Sequence, residues 1–518
     1  MSSMSRPLMF LGTGSDVGKS VLAAAFCRIL KQDGFRVAPF KAQNMALNSF
    51  ITSEGGEMGR AQVVQAEAAG IEPHVDMNPI LLKPTSQMGS QVIVLGKAVG
   101  NFSARAYYEY KPRLLSIVRE SFERLSAQYD IIVMEGAGSA VELNLKEHDL
   151  VNLSMAEMAG ARCVLVGDID RGGIFAALLG SFLLMEPQEQ ERIIGFMVNK
   201  LRGDPALFSR PPNSGVEILE ARAQRPVLGV IPYFDHIALP EEDSVALGRR
   251  MDRAARERSR AGTFLGVVRL PFISNYTDFD CFEQDPAVAL EYFNRPDRVF
   301  HFDAVILPGS KNTLEDLDFI KRSGLGDAIV SYYKAGGTVV GICGGYQMLG
   351  LRVRDPLGVE SGLREVDGLG LLEMETEMFK DKITCQVEAV AVGSAGESPC
   401  GEEHLFGYEI HMGRSTATGE TRPVFKILRR DGKPVEIPDG LATPDQRVWG
   451  TYIHGVFDND WFRRRFLSDL RERMGRGGVS PESSFCYRKW KEEQYDRLAE
   501  HVRRHADVAR IYRLLGLR

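Results

Sequence analysis

Two stretches of this 518-residue chain set reactive residue types among the small neighbours that such chemistry needs. The first is GTGSDVGKS at residues 12–20. Its glycines let backbone N–H groups close around phosphate oxygens, and a helix beginning just after it adds positive potential at that point. Lys19 can reach β- and γ-phosphates, and the Ser20 hydroxyl can meet a magnesium ion. Gly12, Thr13, Asp16, Val17, Gly18, Lys19 and Ser20 are the candidate nucleotide-binding residues. The loop is not a strict Walker sequence, because Thr13 stands where G-x-x-x-x-G-K-[ST] has glycine. Nor is it a dinucleotide fingerprint, because Val17 stands where G-x-G-x-x-G has its last glycine.

The second stretch is GGTVVGICGGYQMLG at residues 336–350. An apolar strand runs into G-x-C-x-G, and a helix can start at Tyr346. Small residues around Cys343 permit the sharp turn of a nucleophile elbow. A helix N-terminus behind a thiol lowers its pKa from about 8.5 and favours the thiolate. The Gly344 N–H is placed to meet a tetrahedral oxyanion, and a second donor is expected from Gly309 or Ser310 in LPGSKNT. A thiolate needs a base. His454, in WGTYIHGVF, follows an apolar strand and has the most distinctive context of the nine histidines.

Both sites need a scaffold that ends strands at one edge. Apolar runs at 8–11, 35–40, 131–134, 163–166, 194–198 and 227–231 alternate with helical segments, the first of them over residues 21–30 with Gly34 as its stop. This pattern predicts an α/β fold with a mostly parallel sheet covered on both faces. A second series follows at 264–270, 304–307, 338–342 and 449–453. Between the two lies an arginine-dense stretch around residues 241–262, either a linker or a solvated helix. We therefore expect two doubly wound domains. Residues 1–240 would form a phosphate-loop domain, and residues 263–518 a cysteine-elbow domain with its core at about 263–465 and a C-terminal helical extension.

Composition narrows the partners. A length of 518 exceeds the roughly 250–300 residues that one core can serve. The net charge of −6 excludes a chain-wide basic face for nucleic acid but leaves room for a local basic pocket. No stretch approaches the ~18 apolar residues of a membrane span. The N-terminus has no signal-peptide core, so a reducing cytoplasm is expected. Seven scattered cysteines form no disulfide framework. Cys385, Cys400 and His404 lack a fourth zinc ligand at suitable spacing.

The loop at 12–20 resembles the G-T-x-x-x-V-G-K-[ST] loop of dethiobiotin synthetase and its relatives, which activate carboxylates with ATP. VMEGAGS at residues 133–139 is similar to their VEGAGG segment, and that resemblance implies that Glu135 helps hold Mg²⁺. It also implies that Asn199, in MVNKLRGD, reads adenine. Arg202 stands where a guanine reader would carry aspartate, so ATP is favoured over GTP. The Cys343–His454 pair resembles class I glutamine amidotransferases. Those usually carry Glu two residues after the histidine, where this chain has Val456, so a third member is either missing or supplied from elsewhere, as in the cobyrinate-type amidotransferases.

Together these halves resemble the cobyric acid synthase family of cobalamin biosynthesis. PFKAQNMALNSF (39–50), GEMGRAQVVQAEAAG (56–70), DMNPILLKPTSQMGSQVIVLGK (76–97), GDIDRGGIFA (167–176) and GYEIHMG (407–413) carry the likeness. The resemblance implies stepwise amidation of the b, d, e and g carboxylates of adenosylcobyrinic acid a,c-diamide, using ATP, Mg²⁺ and L-glutamine. Lys41, Asn44, Asn48, Arg60, Lys83 and Arg171 are then candidates for the anionic corrin, with Lys41 alternatively on ATP phosphates. Residues 41–49 and 76–87 are expected as loops at the sheet's carboxyl edge, where α/β ligands bind. No cobalt-ligating residue, nucleic acid or membrane partner is expected, and a homo-oligomer stays open. The alternatives are cobyrinic acid a,c-diamide synthase, with the same domains and two amidations, and, more remotely, a partition-type ATPase.

Overall fold

The computed structural model describes residues 5–86, 89–234, 236–239, 262–392, 404–477 and 485–517. The expected linker lies outside these residues except for Gly262, as do Gln87 and Cys400. The first sheet has six parallel strands in the order Val227–Pro232, Ile193–Leu201, Arg162–Asp168, Arg6–Gly12, Ile131–Glu135, Val37–Phe40. Buried on both faces, these strands read as continuous apolar runs and leave their polar ends at one edge. The chain leaves Arg6–Gly12 through the 12–20 loop into the helix Lys19–Gln32. Leu22, Phe26, Ile29 and Leu30 face the core along one stripe, and Gly34, at φ 88°, accepts the left-handed turn that ends the helix.

The second sheet runs Val288–Phe293, Thr263–Val268, Ala304–Leu307, Thr338–Ile342, Val448–Thr451, Leu441–Ala442, with only the last strand antiparallel. It ends the strand Thr338–Ile342 at the cysteine elbow. The architecture is the doubly wound α/β pair that the apolar runs predict.

Three features depart from the expectations. Residues 41–49 and 76–87 are not simply loops. Gln43–Met45 and Ile80–Ser86 pair in parallel and begin a four-stranded sheet completed by Gly89–Val94 and Lys97–Ser103. A long antiparallel pair, Met374–Ala391 with His404–Ala417, builds a further seven-stranded sheet that ends on Ile453–His454. The C-terminal helices Tyr487–His505 and Val508–Leu514 do not extend the second domain but pack on the first. Tyr495, Leu498, Ala499 and Val502 recur at helical spacing and share one core with Leu22, Phe26 and Leu30. Glu67 accepts from Lys491 and Tyr495, and Asp496 accepts from Arg28 at 2.7 Å.

Candidate active site

The phosphate loop is tied down on every side. Thr13 donates its amide to Val166 O on the neighbouring strand at 3.0 Å. A Cβ on Gly12 would fall 2.8 Å from Lys19 Nζ and 2.9 Å from Gly14 O, so glycine is required by close approach. Gly18 has φ 98°, and a Cβ there would lie 2.1 Å from Asn199 Nδ2. That crowding has a cause. Asn199 Nδ2 donates to the Val17 carbonyl at 2.8 Å and clamps the loop. That bond uses one of the two amide hydrogens, and Oδ1 stays an acceptor. Lys19 Nζ donates to Gly14 O at 2.8 Å and Gly138 O at 2.9 Å, joining the loop to the segment after Ile131–Glu135. Burial lowers its ammonium to about 8; Glu135 opposes that shift and Lys41 adds to it. A phosphate would restore the charge. Asp16 and Arg171 form an exposed ion pair at 3.2 Å on the loop's rim.

Glu135 sits buried at its strand's end. Its Oε1 accepts from Lys41 Nζ at 2.8 Å and Gln62 at 3.0 Å, and its Oε2 from Gln65 at 3.2 Å. Gln65 also donates to the Ser20 carbonyl at 3.4 Å, so one amide brings Ser20 and Glu135 side by side. Among the described residues no three acidic, histidine or cysteine side chains gather as a metal site. Magnesium at nucleotide sites leans on phosphates and water with one or two protein oxygens, so Ser20 and Glu135 fit as its donors once Lys41 shares Glu135.

In the second domain Cys343 has φ 50° and ψ −107°, a strained conformation at the turn from Thr338–Ile342 into the short helix Gly344–Met348. Its amide donates to Thr451 O at 2.8 Å, which locks the elbow to the adjacent strand. The helix begins at Gly344 rather than Tyr346. A Cβ on Gly344 would fall 2.8 Å from the Ser310 nitrogen, so the Ser310 amide lies against Gly344. Ser310 is held by its Oγ donating to Asp316 at 2.6 Å. The Gly309 carbonyl accepts from Ser274.

His454 Nδ1 lies 2.6 Å from Asp278 Oδ2, while Asp278 Oδ1 accepts from the Gly455 amide at 3.0 Å. His454 Nε2 is buried without a hydrogen-bond partner. Burial alone would lower the imidazole, but the charges of Asp278 and then Cys343 raise it to about 10. Tyr408 stacks on the ring at a centroid distance of 5.2 Å. An imidazole oriented by a carboxylate, in one cleft with a cysteine on a strained turn, has the parts that cysteine activation requires. Asp278 occupies the place that Val456 leaves open, and sequence reasoning missed it. Its only signal is the run NYTDFD at 275–280, polar residues among aromatic ones, which nothing in the spacing ties to His454.

The cleft around Cys343 also takes residues from the first domain. Lys83 lines it together with Lys311, Gln347, Glu360, Lys382, His411 and His454. It is narrow, about 30 Å³, little more than room for a water, so an amino acid must move its walls. Lys83 and Lys382 both donate to Glu57, at 2.8 and 2.6 Å. Burial alone would raise Glu57, but Lys382 and Lys83 pull it well below the usual carboxylate range. Asn48, fully buried, accepts from the Tyr276 amide at 3.3 Å, and the Ser49 amide donates to Asn275 at 3.1 Å. The two domains thus close on each other at the cysteine cleft.

The cations considered for an anionic corrin do not converge. Lys41 pairs with Glu135, Lys83 with Glu57, and Arg60 is buried over the Phe50 ring at 5.6 Å. Asn44 donates to Gln62 at 2.9 Å. Only Arg171 is exposed. Buried charges need such partners, and their burial takes them off any open surface.

Residues 8–246 match the CobQ/CobB/MinD/ParA nucleotide binding domain, and residues 265–462 match the CobB/CobQ-like glutamine amidotransferase domain. The chain is 68% identical over 517 residues to the cobyric acid synthase of Syntrophobacter fumaroxidans, covering 100% of both chains. The chain belongs to the cobyric acid synthase family. Relatives of the same name reach 46% identity in Thermoanaerobacter, over 99% of both chains, and 48% in Salmonella choleraesuis, likewise over 99% of both. As a member of the cobyric acid synthase family it joins a nucleotide-binding domain to a glutamine amidotransferase domain. No described helix is long and apolar enough to cross a membrane.

Proposed function

We propose that the chain is an ATP- and glutamine-dependent ligase that amidates, one after another, the b, d, e and g carboxylates of adenosylcobyrinic acid a,c-diamide in the cytoplasm. The observation that carries this reading is one chain with a clamped phosphate loop in one domain and a cysteine elbow in the other, the two domains meeting beside the cysteine cleft. In the second domain, Cys343 Sγ attacks the glutamine amide carbon. The developing oxyanion takes the Gly344 and Ser310 amides, and losing one such donor costs about 10²–10³ in rate. His454, held by Asp278, gives a proton to the leaving ammonia, then takes one from the water that cleaves the thioester and frees glutamate.

In the first domain, a corrin carboxylate oxygen attacks the γ-phosphorus of ATP and ADP leaves, giving an acyl phosphate. Ammonia displaces phosphate from that carbonyl and loses a proton to form the amide. Lys19 and the loop amides neutralise charge on the transferring phosphoryl group. Magnesium, held by Ser20 and Glu135 with the phosphates, would share that charge. The domain division that suits this chemistry is 1–240, a connection at 241–262, and a glutaminase core at 263–465, with the C-terminal helices returning to the first domain.

The acceptor carboxylate fits a cavity of about 210 Å³ lined by Gln43, Tyr108, Lys111, Ser139, Lys146 and His148. It abuts Gly138, the residue that Lys19 holds. A space of that size takes one side arm of a macrocycle at a time, which suits stepwise reaction. Mass spectrometry of the corrin after incubation with ATP, Mg²⁺ and glutamine tests the reading. Four successive exchanges of carboxylic hydroxyl for amine are expected. A product that stops at two amides, with cobyrinic acid itself preferred, assigns the chain to the sister reaction.

A further inference from the structure

Lys83, Lys311, Glu360 and Lys382 line the cysteine cleft, with Glu57 behind two of them, and the charges are not evenly matched. Lys83, Lys382 and Glu57 satisfy one another: both ammonium groups reach the one carboxylate. That leaves two lining residues, Lys311 and Glu360. Lys311 Nζ donates to the neutral amide of Gln91 at 3.3 Å, and Glu360 Oε2 accepts from the Thr313 amide at 3.1 Å. Among the described residues neither closes an ion pair. Both line the same cleft as Cys343 and His454. Lys311 follows Ser310, whose amide lies against Gly344, the residue after Cys343.

Both groups are held in unfavourable states. Burial, then the like charges of Lys382 and Lys83, lower the Lys311 ammonium to about 7, with Glu360 and Glu57 opposing. Burial raises the Glu360 carboxyl, with Lys311 the main opposing charge. Two buried side chains of opposite charge that line one narrow cleft, yet among the described residues close no ion pair with each other, leave room for a complement between them. A free α-amino acid carries that complement, a carboxylate and an ammonium on one carbon.

We propose that Lys311 binds the α-carboxylate and Glu360 the α-ammonium of glutamine, so that these two residues select a free amino acid for attack by Cys343. This rests on the glutaminase reading and deepens it. The Lys83–Glu57–Lys382 triad supplies the like charge that leaves Lys311 in need of an anion, so the first domain contributes to glutamine recognition across the interface. The carrier of the γ-amide is then admitted as a zwitterion. A peptide-bound glutamine, lacking both charges, is refused, because it would leave two buried charges unpaired. The narrowness of the cleft agrees with a lysine that swings on its four-carbon stem to let the substrate in.

Two alkylating reagents separate recognition from reactivity in the full-length protein. 6-Diazo-5-oxonorleucine carries the amino-acid head, and its diazo carbon takes up a proton and loses N₂ as the thiolate attacks; iodoacetamide has no head and loses iodide. Labelling of Cys343 is followed by intact-protein mass spectrometry. Lys311→Met and Glu360→Gln should each slow labelling by the diazo reagent roughly tenfold to a hundredfold, as expected for one lost hydrogen bond to a charged group. Labelling by iodoacetamide should keep its rate, and Lys311→Arg should recover most of the loss. Equal slowing with both reagents would overturn the proposal, since the residues would then be shaping the thiol and not the head site. Unchanged rates with both reagents would overturn it too. If the unaltered protein takes iodoacetamide at Cys343 but never the diazo reagent, the glutaminase reading itself fails.

Discussion

The phosphate loop and the cysteine cleft solve the same problem, holding charge where a reaction develops it, by opposite means. The loop is built from one contiguous stretch, residues 12–20, with distant contacts such as Asn199 on Val17 and Gly138 on Lys19 holding it in place. The cleft is assembled from Asp278, Ser310, Cys343 and His454, with Lys83 and Asn48 arriving from the other domain. Backbone amides can hold phosphate from within one turn. A nucleophile, its base, the base's partner and an oxyanion site each need a separate strand end. Local construction therefore makes the first site robust to changes elsewhere, and distributed construction makes the second depend on domain closure.

The largest expected effect is on the distributed site. Asp278→Asn should lower the glutaminase kcat by about 10³–10⁴-fold, as when a catalytic imidazole loses its orienting carboxylate. Initial rates of glutamate release check this. The same variant changes the pH profile of stability. His454 is raised from 6.5 to about 10, so its pairing stabilises the fold fully below pH 6.5 and that contribution disappears as pH rises through about 10. Urea unfolding should show the variant weaker than the unaltered protein at low pH, with the gap closing in alkali.

Next is the C-terminal strap. Leu498→Ala empties a fully buried position between the helix Tyr487–His505 and the first domain, and should cost about 2–5 kcal/mol in denaturant unfolding. Labelling of Cys343 by iodoacetamide under native conditions should be unaffected. Gly18→Ala tests the local site. The left-handed backbone and the approach of Asn199 predict a loss of about 1–3 kcal/mol. The rise in Tm on adding ATP should vanish with it. The smallest effect is expected of Asn48→Ala, about 1 kcal/mol from one unsatisfied Tyr276 amide. There the sharper readout is coupling: amide synthesis should fall more than glutamine hydrolysis measured alone.

The same contrast decides what a sequence can reveal. The parallel strands were legible because burial on both faces turns them into unbroken apolar runs, and both the loop at 12–20 and the elbow at Cys343 carry their chemistry in adjacent residues. Asp278 was not legible, since it meets His454 across 176 positions and no local rule spans that distance. The antiparallel pair Met374–Ala391 and His404–Ala417 buries polar residues such as Glu409 and His411 among apolar ones and carries a register shift, so it gives no strong apolar run. The amphipathic stripe of Tyr487–His505 announces a helix but not which domain it will cover. The partners of the corrin candidates were hidden for a related reason. A lysine's charge is visible in sequence, whereas its partner, Glu135 for Lys41 or Glu57 for Lys83, is decided only by the fold.

The division of labour between the two sites is the central claim, and crossing two variants with two nitrogen sources tests it most directly. Cys343→Ala and Lys19→Ala are each supplied with ATP, Mg²⁺ and the corrin a,c-diamide, once with glutamine and once with an ammonium salt, and the amides formed are counted. Cys343→Ala should make none from glutamine yet continue with ammonium, because ammonia from solution reaches the acyl phosphate without the cleft. Lys19→Ala should make none from either source while still releasing glutamate from glutamine. Loss of ammonium-driven synthesis in folded Cys343→Ala, or undiminished synthesis in Lys19→Ala, would contradict the account.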